Sequence, residues 1–461
     1  MSACELAAAY RAGTLSPVDA VEAVLERLER LNPALNAFVT VTADAARAEA
    51  QEAARRFAQG GDDLPPLLGV PITVKDLVET AGVRTTYGAV AYADNVPASD
   101  AIAWGRLKAA GAILIGKTTT PEFGLLGTTE SHLTGVTNNP WDLGRTSGGS
   151  SGGAAASLAV GIAPIAWGSD GGGSIRVPAA LCGVVGFKPS VGRIPHLDNV
   201  DASDTQGPMA RRVVDIALML NATVGPDLRD RFALPATGED YVAAVLDPRP
   251  LTGVRIAASV DLGEDDVEPA VAERFHATVE QLRAAGAVVE DVDFALPNPE
   301  EYFLSYVGSE YQLYADMMAM EGQPVWPFIQ DLADRARNLT PSDVSMAFRQ
   351  IRTQIYNAFV KALGPNEFLV TPTTPLIALT HEVVAATKTT TDPVAHLHRL
   401  TEAPSHAGLP ALTLPIGLTD EGLPVGIQLI GRPHADAEVV SLGRSIEELI
   451  SPEFIWPLSD D

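Results

Sequence analysis

The chain has 461 residues, of which 46% are hydrophobic and 20% charged, so it has ample apolar material for a large buried core. Its formal net charge of -26 argues against nucleic acid as a partner and against docking on an anionic membrane, because both need clustered lysine and arginine. The two cysteines, Cys4 and Cys182, predict no disulfide framework and fit a reducing compartment. Neither a basic leader nor a long apolar stretch is visible, so we expect a cytoplasmic protein without a membrane span.

The N-terminal sixty residues are predicted to be helical. Ser16, Pro17 and Asp19 form an N-terminal capping signal ahead of apolar residues at helical spacing. Thr42 is predicted to cap a second helix that continues to Phe57. Beyond them, short apolar runs rich in β-branched residues alternate with helical patterns. Buried strands are predicted at 67–74, 112–116 and 162–167, and helices at 101–111 and 154–160.

The later part of the chain continues this alternation after a linker-like stretch at 229–250. A strand at 252–258, a helix at 267–285 and a strand at 287–294 are predicted to form a further β-α unit. Alternating helices and buried strands indicate an α/β fold with a sheet covered on both faces.

Two glycine- and serine-rich segments, GGSSGG at 148–153 and SDGGGSIR at 169–176, suggest a catalytic site. Cleaving an amide requires a nucleophile, a proton route to the leaving nitrogen and donors for the oxyanion. Ser174 is the candidate nucleophile because it follows three glycines, whose backbone N–H groups can converge on one point. The predicted oxyanion donors are the N–H groups of Gly171, Gly172, Gly173 and Ser174. A tight turn with a capping serine is the alternative interpretation.

A lysine inside an apolar strand is the candidate base. Lys75 ends the run GVPITVK, and burial there would lower its pKa from the usual value of about 10.4 toward neutrality. The alternative is an edge-strand lysine that discourages aggregation.

These segments together resemble the amidase signature family. The resemblance continues through 177–180 and 182–189 and resumes at 368–375, 408–415 and 422–431. Because family features occur near both ends, we expect a single domain, 1–461, on a large twisted mixed sheet. Its expected parts are N-terminal helices at 1–60, a signature core at 65–225 and a variable helical segment at 300–360 that covers the pocket.

The resemblance implies the roles of the site residues. Lys75, Ser150 and Ser174 are implied as a catalytic triad, with Ser150 on a cis peptide bond between the base and the nucleophile. The resemblance selects Ser150 over the adjacent Ser151, which the residues alone do not distinguish and which we place in the surroundings of the triad. No metal or cofactor is implied.

Two charged residues flank the candidate nucleophile. Asp170 and Arg176 are hypothesised to form an ion pair that fixes the loop, the alternative being a surface pair. Lys188 and Cys182 also match the family pattern and are interpreted as structural.

Other site types are disfavoured. The segment 148–152 fits the G-x-S-x-G nucleophile elbow, but that motif needs a strand directly before the serine, and 138–145 is predicted to be loop. No Gly-Lys-Ser/Thr sequence ends the glycine loops as in a phosphate-binding loop. His396 and His398 have no ligand-spaced companions and are predicted to lie on a solvated helix face rather than to bind metal.

Within the family, the alternatives are a stand-alone amidase and the glutaminase subunit of a tRNA-dependent amidotransferase. The segment 190–196 departs from the tyrosine-rich, arginine-containing stretch of the amidotransferase subunits, and 207–211 favours a stand-alone enzyme. The expected partner is a small-molecule amide, and a homodimer is left open.

The substrate is predicted to be a hydrophobic or aryl amide, with aryl carbamate or ester hydrolysis by the same triad as the alternative. Clustered aromatic residues indicate a deformable apolar pocket formed by a few of them, whereas ordinary helix core is the favoured interpretation for any single one. They are Tyr302, Phe303, Tyr306, Tyr311, Tyr314, Trp326, Phe328, Phe348, Tyr356 and Phe359.

Overall fold

The computed structural model describes residues 1–61, 63–197, 204–263, 266–297, 299–387, 393–450 and 457–458. Its strands are β1 (Phe38–Val41), β2 (Pro71–Lys75), β3 (Ile113–Thr118), β4 (Glu130–Ser131), β5 (Gly135–Val136), β6 (Asn138–Asn139), β7 (Asp142–Thr146), β8 (Ile165–Asp170), β9 (Val185–Lys188), β10 (Thr205–Ala210), β11 (Arg255–Ala258), β12 (Val288–Asp291), β13 (Phe368–Pro372), β14 (Ala411–Leu418) and β15 (Pro424–Gly431).

The α-helices of the described residues are α1 (Ala3–Arg11), α2 (Pro17–Leu35), α3 (Ala43–Gln59), α4 (Ile102–Ala109), α5 (Gly152–Ala159), α6 (Arg176–Cys182), α7 (Val213–Thr223), α8 (Tyr241–Leu246), α9 (Pro269–Ala284), α10 (Pro299–Met320), α11 (Pro327–Ala336), α12 (Pro341–Met346), α13 (Arg352–Leu363), α14 (His381–Ala385), α15 (Pro393–His396), α16 (Arg399–His406) and α17 (Asp436–Ile450). Short 3₁₀ turns lie at Val90–Tyr92 and Glu122–Gly124, and a π-helical turn at Ala347–Ile351 joins α12 to α13.

One mixed sheet of eleven described strands organises the molecule, in the order β1-β3-β2-β8-β10-β9-β14-β15-β13-β11-β12. β2 is parallel to β3 and β8, and β11 is parallel to β12 and β13. The other neighbouring pairs are antiparallel. The predicted α/β fold with a large mixed sheet is confirmed.

Strand β8 shows how the sheet is covered on both faces. Successive side chains of a strand point to opposite faces. Ile165 and Trp167 pack in a core cluster with residues of α4, α7 and α17, whereas the intervening Ala166 packs with residues of α5 and α6. Both faces are therefore buried, as parallel strands in the centre of such a sheet require.

The parallel pairing of β2 and β8 positions the site. Both strands are buried throughout, and their carboxyl ends, at Lys75 and Asp170, lie at the same edge of the sheet. Loops that leave this edge carry the glycine-rich segments, so the central strands hold the candidate residues on a rigid base.

The local predictions are confirmed in part. The hydroxyl of Ser16 accepts from the N–H of Val18 and caps α2 as predicted. The predicted cap of α3 is wrong, because the Thr42 hydroxyl instead donates to the carbonyl of Leu114, 2.6 Å away. The predicted loop at 138–145 is also wrong, since β6 and β7 pair there as a short antiparallel hairpin.

The predicted strands exist, with shifted bounds. Leu67 and Leu68 lie in turns, so the strand predicted at 67–74 begins only at Pro71. The strand predicted at 162–167 begins at Ile165 and extends to Asp170. Within the described part of the chain, no helix is both long and apolar enough to cross a membrane.

Candidate active site

Lys75 is the buried centre of the site. Its ammonium nitrogen donates to the Ser150 hydroxyl at 2.6 Å and to the Ser169 hydroxyl at 3.0 Å. The side chain is completely buried, and burial lowers the pKa of Lys75 to about 7, although the carboxylates of Asp204 and Asp170 favour the charged form. A large fraction of Lys75 is therefore neutral near pH 7. The interpretation as an edge-strand lysine is wrong, because β2 lies between β3 and β8 in the sheet.

Ser150 lies between β7 and α5, and the Gly149–Ser150 peptide bond is cis, as the family resemblance implies. A Cβ atom at Gly149 would lie 2.6 Å from the carbonyl oxygen of Thr128, so this position admits only glycine. The hydroxyl of the adjacent Ser151 points elsewhere and donates to the carbonyl of Ser169 at 3.4 Å. Lys75 therefore contacts Ser150 and not Ser151, a distinction that the residues alone leave open.

Ser174 lies in the connection from β8 to α6 and is partly accessible to solvent. Its carbonyl accepts from the N–H of Ser151 at 3.1 Å, and this bond joins the two glycine-rich loops. The structure thus places Lys75 and Ser150 in direct contact, and a backbone hydrogen bond joins the loop of Ser174 to the loop of Ser150.

One of the four predicted oxyanion donors is engaged in another hydrogen bond. The N–H of Gly173 donates to the Asp170 carboxylate at 2.7 Å, so Gly173 is already engaged and its assignment needs correction. Among the described groups, none accepts a hydrogen bond from the N–H of Gly171, Gly172 or Ser174. These three remain available as donors.

Asp170 and Arg176 form the predicted ion pair, and both side chains are completely buried. Arg176 approaches the carboxylate with two nitrogens, Nε at 2.9 Å and Nη2 at 2.8 Å, in the bidentate geometry that is strongest for this pair. Burial alone would raise the pKa of Asp170, but the guanidinium of Arg176 outweighs it and holds the pKa well below its usual value. The alternative of a surface pair is therefore wrong.

Three further side chains join the site without having been predicted. Ser169 is the second partner of Lys75, and His398 and Thr401 both bond the carbonyl oxygen of Gly172, at 3.2 and 2.8 Å.

The predicted solvated helix face is wrong: His396 and His398 are buried, and a ring nitrogen of His396 lies 2.8 Å from the carbonyl of Asp266. Within the described residues, no group of three or more acidic, histidine or cysteine side chains has the arrangement of a metal site.

The helices after residue 300 pack against a loop that borders Ser150. Tyr311 donates to the carbonyl of Leu125 at 3.1 Å, and Tyr314 donates to the buried carboxylate of Glu122 at 2.6 Å. Between these acceptors lies Gly124, where a Cβ atom would be 3.1 Å from the Ser150 hydroxyl. These bonds fix helix α10 to residues 122–125, which we call the wall loop.

The predicted aromatic residues divide into several groups. Tyr311, Tyr314 and Phe328 are buried together, whereas Phe348 and Tyr356 are exposed and Phe359 packs in a separate core cluster. The indole ring of Trp326 stacks on His132, with centroids 4.2 Å apart. The side chains of Tyr302, Phe303 and Tyr306 lie outside the described residues.

The chain is similar to known proteins over most of its length. The family model described as Amidase matches residues 19–440. The acylamidase of Rhodococcus erythropolis is 35% identical over 460 residues, covering 97% of this chain and 95% of that protein. A glutamyl-tRNA(Gln) amidotransferase subunit of Chloroflexus aurantiacus is also 35% identical, covering 96% of this chain and 95% of that protein.

A solved structure shows the same fold. The crystal structure of a bacterial aryl acylamidase of the amidase signature family superposes with a TM-score of 0.88 at 28% identity, covering 97% of this chain and 96% of that one. With a family match over most of its length, this chain is an enzyme of the amide-hydrolysing class. It belongs to the amidase family, also called the amidase signature family.

Proposed function

We propose that this protein is a stand-alone amidase that cleaves carboxylic amide C–N bonds with Ser174 as nucleophile, Ser150 as proton relay and Lys75 as base. The observation that carries this proposal is the 2.6 Å contact between the ammonium nitrogen of Lys75 and the Ser150 hydroxyl in a completely buried setting. A lysine acts as a base near pH 7 only where its surroundings lower its pKa, and burial does so here.

The reaction begins with attack of the Ser174 oxygen on the amide carbonyl. The Ser174 proton passes to Ser150, whose own proton passes to neutral Lys75. The oxyanion receives hydrogen bonds from the free N–H groups of Gly171, Gly172 and Ser174. The relay then runs in reverse: the C–N bond breaks, the leaving nitrogen takes the proton, and the acyl group remains on Ser174. Water attacks this ester by the same route, and the carboxylic acid leaves.

A hydrophobic or aryl amide is the proposed substrate class. Phe123 in the wall loop lies in an aromatic cluster. Its ring centroid is 5.4 Å from that of Tyr314 and 5.7 Å from that of Tyr92. The adjacent Gly124 borders Ser150. Aromatic residues clustered around Phe123, the residue before Gly124, favour an apolar group on the substrate, and the acylamidase and aryl acylamidase relatives are consistent with it. Aryl carbamates and esters would react through the same acyl-enzyme.

The second candidate is the glutaminase subunit of a tRNA-dependent amidotransferase. It is favoured by the 35% identity to the amidotransferase relative over 96% of this chain. Glutamine would then be the amide, and ammonia would pass to a partner protein.

Release of amine or ammonia from glutamine, aliphatic amides, aryl anilides and aryl carbamates tests the proposal, with wild type beside Ser174→Ala. Turnover of anilides or aliphatic amides that disappears in Ser174→Ala supports the stand-alone amidase. Turnover of glutamine alone contradicts it and supports the amidotransferase role. Turnover that persists in Ser174→Ala would exclude Ser174 as the nucleophile.

A further inference from the structure

The peptide unit between Gly172 and Gly173 is held at both of its ends. Its carbonyl oxygen lies 2.8 Å from the Thr401 hydroxyl, which shares its one proton between this oxygen and the carbonyl of His398 at 2.9 Å, and it lies 3.2 Å from a ring nitrogen of His398. Its N–H donates to the Asp170 carboxylate at 2.7 Å. Because a peptide unit is planar, bonds at both ends fix the orientation of the whole plane.

This plane lies between the two N–H groups that flank it in the loop. The N–H of Gly172 belongs to the preceding peptide unit and that of Ser174 to the following one. Glycines accept many backbone angles, so an unrestrained run of three would not keep these N–H groups aimed at one point. Fixing the central plane therefore restricts both neighbours.

Helix α16 supplies the contacts from outside the loop. Thr401 and Ser405 are four residues apart and so lie on the same face of the helix. Thr401 bonds Gly172, while the Ser405 hydroxyl accepts from Arg176 at 2.5 Å, beside the Asp170 carboxylate. One helix face thus supports both the loop and the ion pair beneath it.

The backbone at Gly173 fits this contact closely. Gly173 has φ +134°, a conformation that favours glycine, and a Cβ atom built there would lie 2.1 Å from the Thr401 hydroxyl oxygen. The loop and helix approach each other so closely that the hydroxyl fills the space a side chain would need.

We propose that Thr401, assisted by His398, is a positioning residue that orients the Gly172–Gly173 peptide and with it the oxyanion donors of Gly172 and Ser174. This role rests on the proposed function. It predicts that loss of the Thr401 hydroxyl weakens stabilisation of the tetrahedral state more than it weakens binding of the substrate.

Four proteins test the proposal: wild type, Thr401→Val, Thr401→Ser and Thr223→Val. Valine has nearly the shape of threonine and replaces the hydroxyl donor by a methyl group, whereas serine keeps the hydroxyl. Thr223 is the matched control, because it is completely buried and its hydroxyl donates to the carbonyl of Met219 at 2.8 Å, on the distant helix α7.

Two rates are measured for each protein. The first is hydrolysis of the amide that wild type turns over fastest, resolved into kcat and KM. The second is labelling by an alkyl fluorophosphonate, in which a bond forms between the Ser174 oxygen and phosphorus, fluoride leaves and the base takes the proton. Labelling needs no amide turnover. It therefore tests the positioning role of Thr401 even if wild type hydrolyses no amide and the proposed function fails.

For Thr401→Val we expect kcat to fall about tenfold or more, with KM within about twofold of wild type and labelling slowed by a similar factor. Thr401→Ser and Thr223→Val should stay near wild type. The proposal is overturned if Thr401→Val keeps both rates within about twofold of wild type, or loses no more than Thr223→Val. If Thr401→Val does not fold, Thr401→Ala removes the same donor and is judged by the same rates.

Discussion

Lys75 and Lys117 are two buried lysines on neighbouring parallel strands that face opposite sides of the sheet. Lys117 pairs in register with Val74, the residue before Lys75, so the two side chains point to opposite faces. Lys117 has an acidic neighbour, Asp76 at 3.8 Å, and it also donates to the carbonyl of Val78 at 2.6 Å. The ammonium group of Lys75 instead donates to two serine hydroxyls. The sheet thus separates a lysine that contacts two serine hydroxyls from one that has a carboxylate neighbour.

The activity of the enzyme should depend on the charge of Lys75. Burial lowers the pKa of Lys75 to about 7, and the neutral amine is the active form. Since protonation increases as the pH falls, kcat/KM should be constant above this pKa and fall about tenfold per pH unit below it. A pH–rate profile between pH 5 and about 9 measures this, with folding followed by circular dichroism.

The double variant Lys117→Met/Asp76→Asn is the control for this assignment, because burial also lowers the pKa of Lys117, to about 8. The variant removes both partners of the buried pair, and we expect the same pH midpoint as in wild type. A midpoint that disappears in this variant would assign the titration to Lys117, and a flat wild-type profile down to about pH 5 would contradict a lysine base.

Replacing Ser150 by alanine should cost far more activity than replacing Ser151. Ser150 contacts Lys75, whereas the Ser151 hydroxyl donates to a backbone carbonyl at 3.4 Å. We expect Ser150→Ala to lower kcat by about a thousandfold and Ser151→Ala by less than about tenfold. Steady-state rates on one amide measure both. Equal losses in the two variants would remove Ser150 from its role as relay.

The Asp170→Asn substitution should destabilise the protein and lower turnover. It leaves the buried guanidinium of Arg176 without its carboxylate and weakens the acceptor that holds the N–H of Gly173. The expected loss in the free energy of unfolding is about 3–5 kcal/mol, measured by urea denaturation. Glu22→Gln, at the exposed Arg47–Glu22 pair, should leave the urea midpoint unchanged. Unchanged turnover in Asp170→Asn would contradict the loop-fixing role.

The Tyr314→Phe substitution should loosen the contact between α10 and the wall of the site. It removes the donor 2.6 Å from the buried Glu122 carboxylate, at a cost of about 1–3 kcal/mol in the free energy of unfolding. Because the wall loop borders Ser150, we expect a higher KM for aryl amides with a smaller change in kcat. Tyr241→Phe is the control, since its hydroxyl bonds Glu239 at 3.1 Å near α8. Equal KM values in the two variants would exclude a role for this wall in substrate binding.

Sequence reasoning identified the parts of the site that lie close to a recognisable motif. Strands β2 and β8 carry strong apolar patterns, and Ser150 and Ser174 lie in short glycine-rich segments, so Lys75, Ser150 and Ser174 were accessible from the residues and the family resemblance. The Asp170–Arg176 pair spans only six positions, and its contact was predicted from that proximity.

The contacts that were missed join distant parts of the chain. Thr401 is 229 residues from Gly172, and His398 is 226 residues away, so no local pattern links them. The same distance explains the wrong prediction of a solvated face, because His398 is buried where it contacts Gly172, a residue far away in the sequence. The hydrogen bond from the N–H of Gly173 to the Asp170 carboxylate could not be predicted either, since it depends on the side-chain angle of Asp170.

The order of the sheet divides the molecule into two contiguous blocks. Strands up to Ala210 occupy one side and strands from Arg255 onward the other, and they meet where β9 pairs with β14. The residues proposed to react all belong to the first block, whereas α10, with its contacts to the wall loop, and α16, with its contacts to the nucleophile loop, belong to the second. Because Thr401 of the second block contacts Gly172 of the first, the geometry of the reactive half depends on correct docking of a segment that the chain reaches only near its C-terminus.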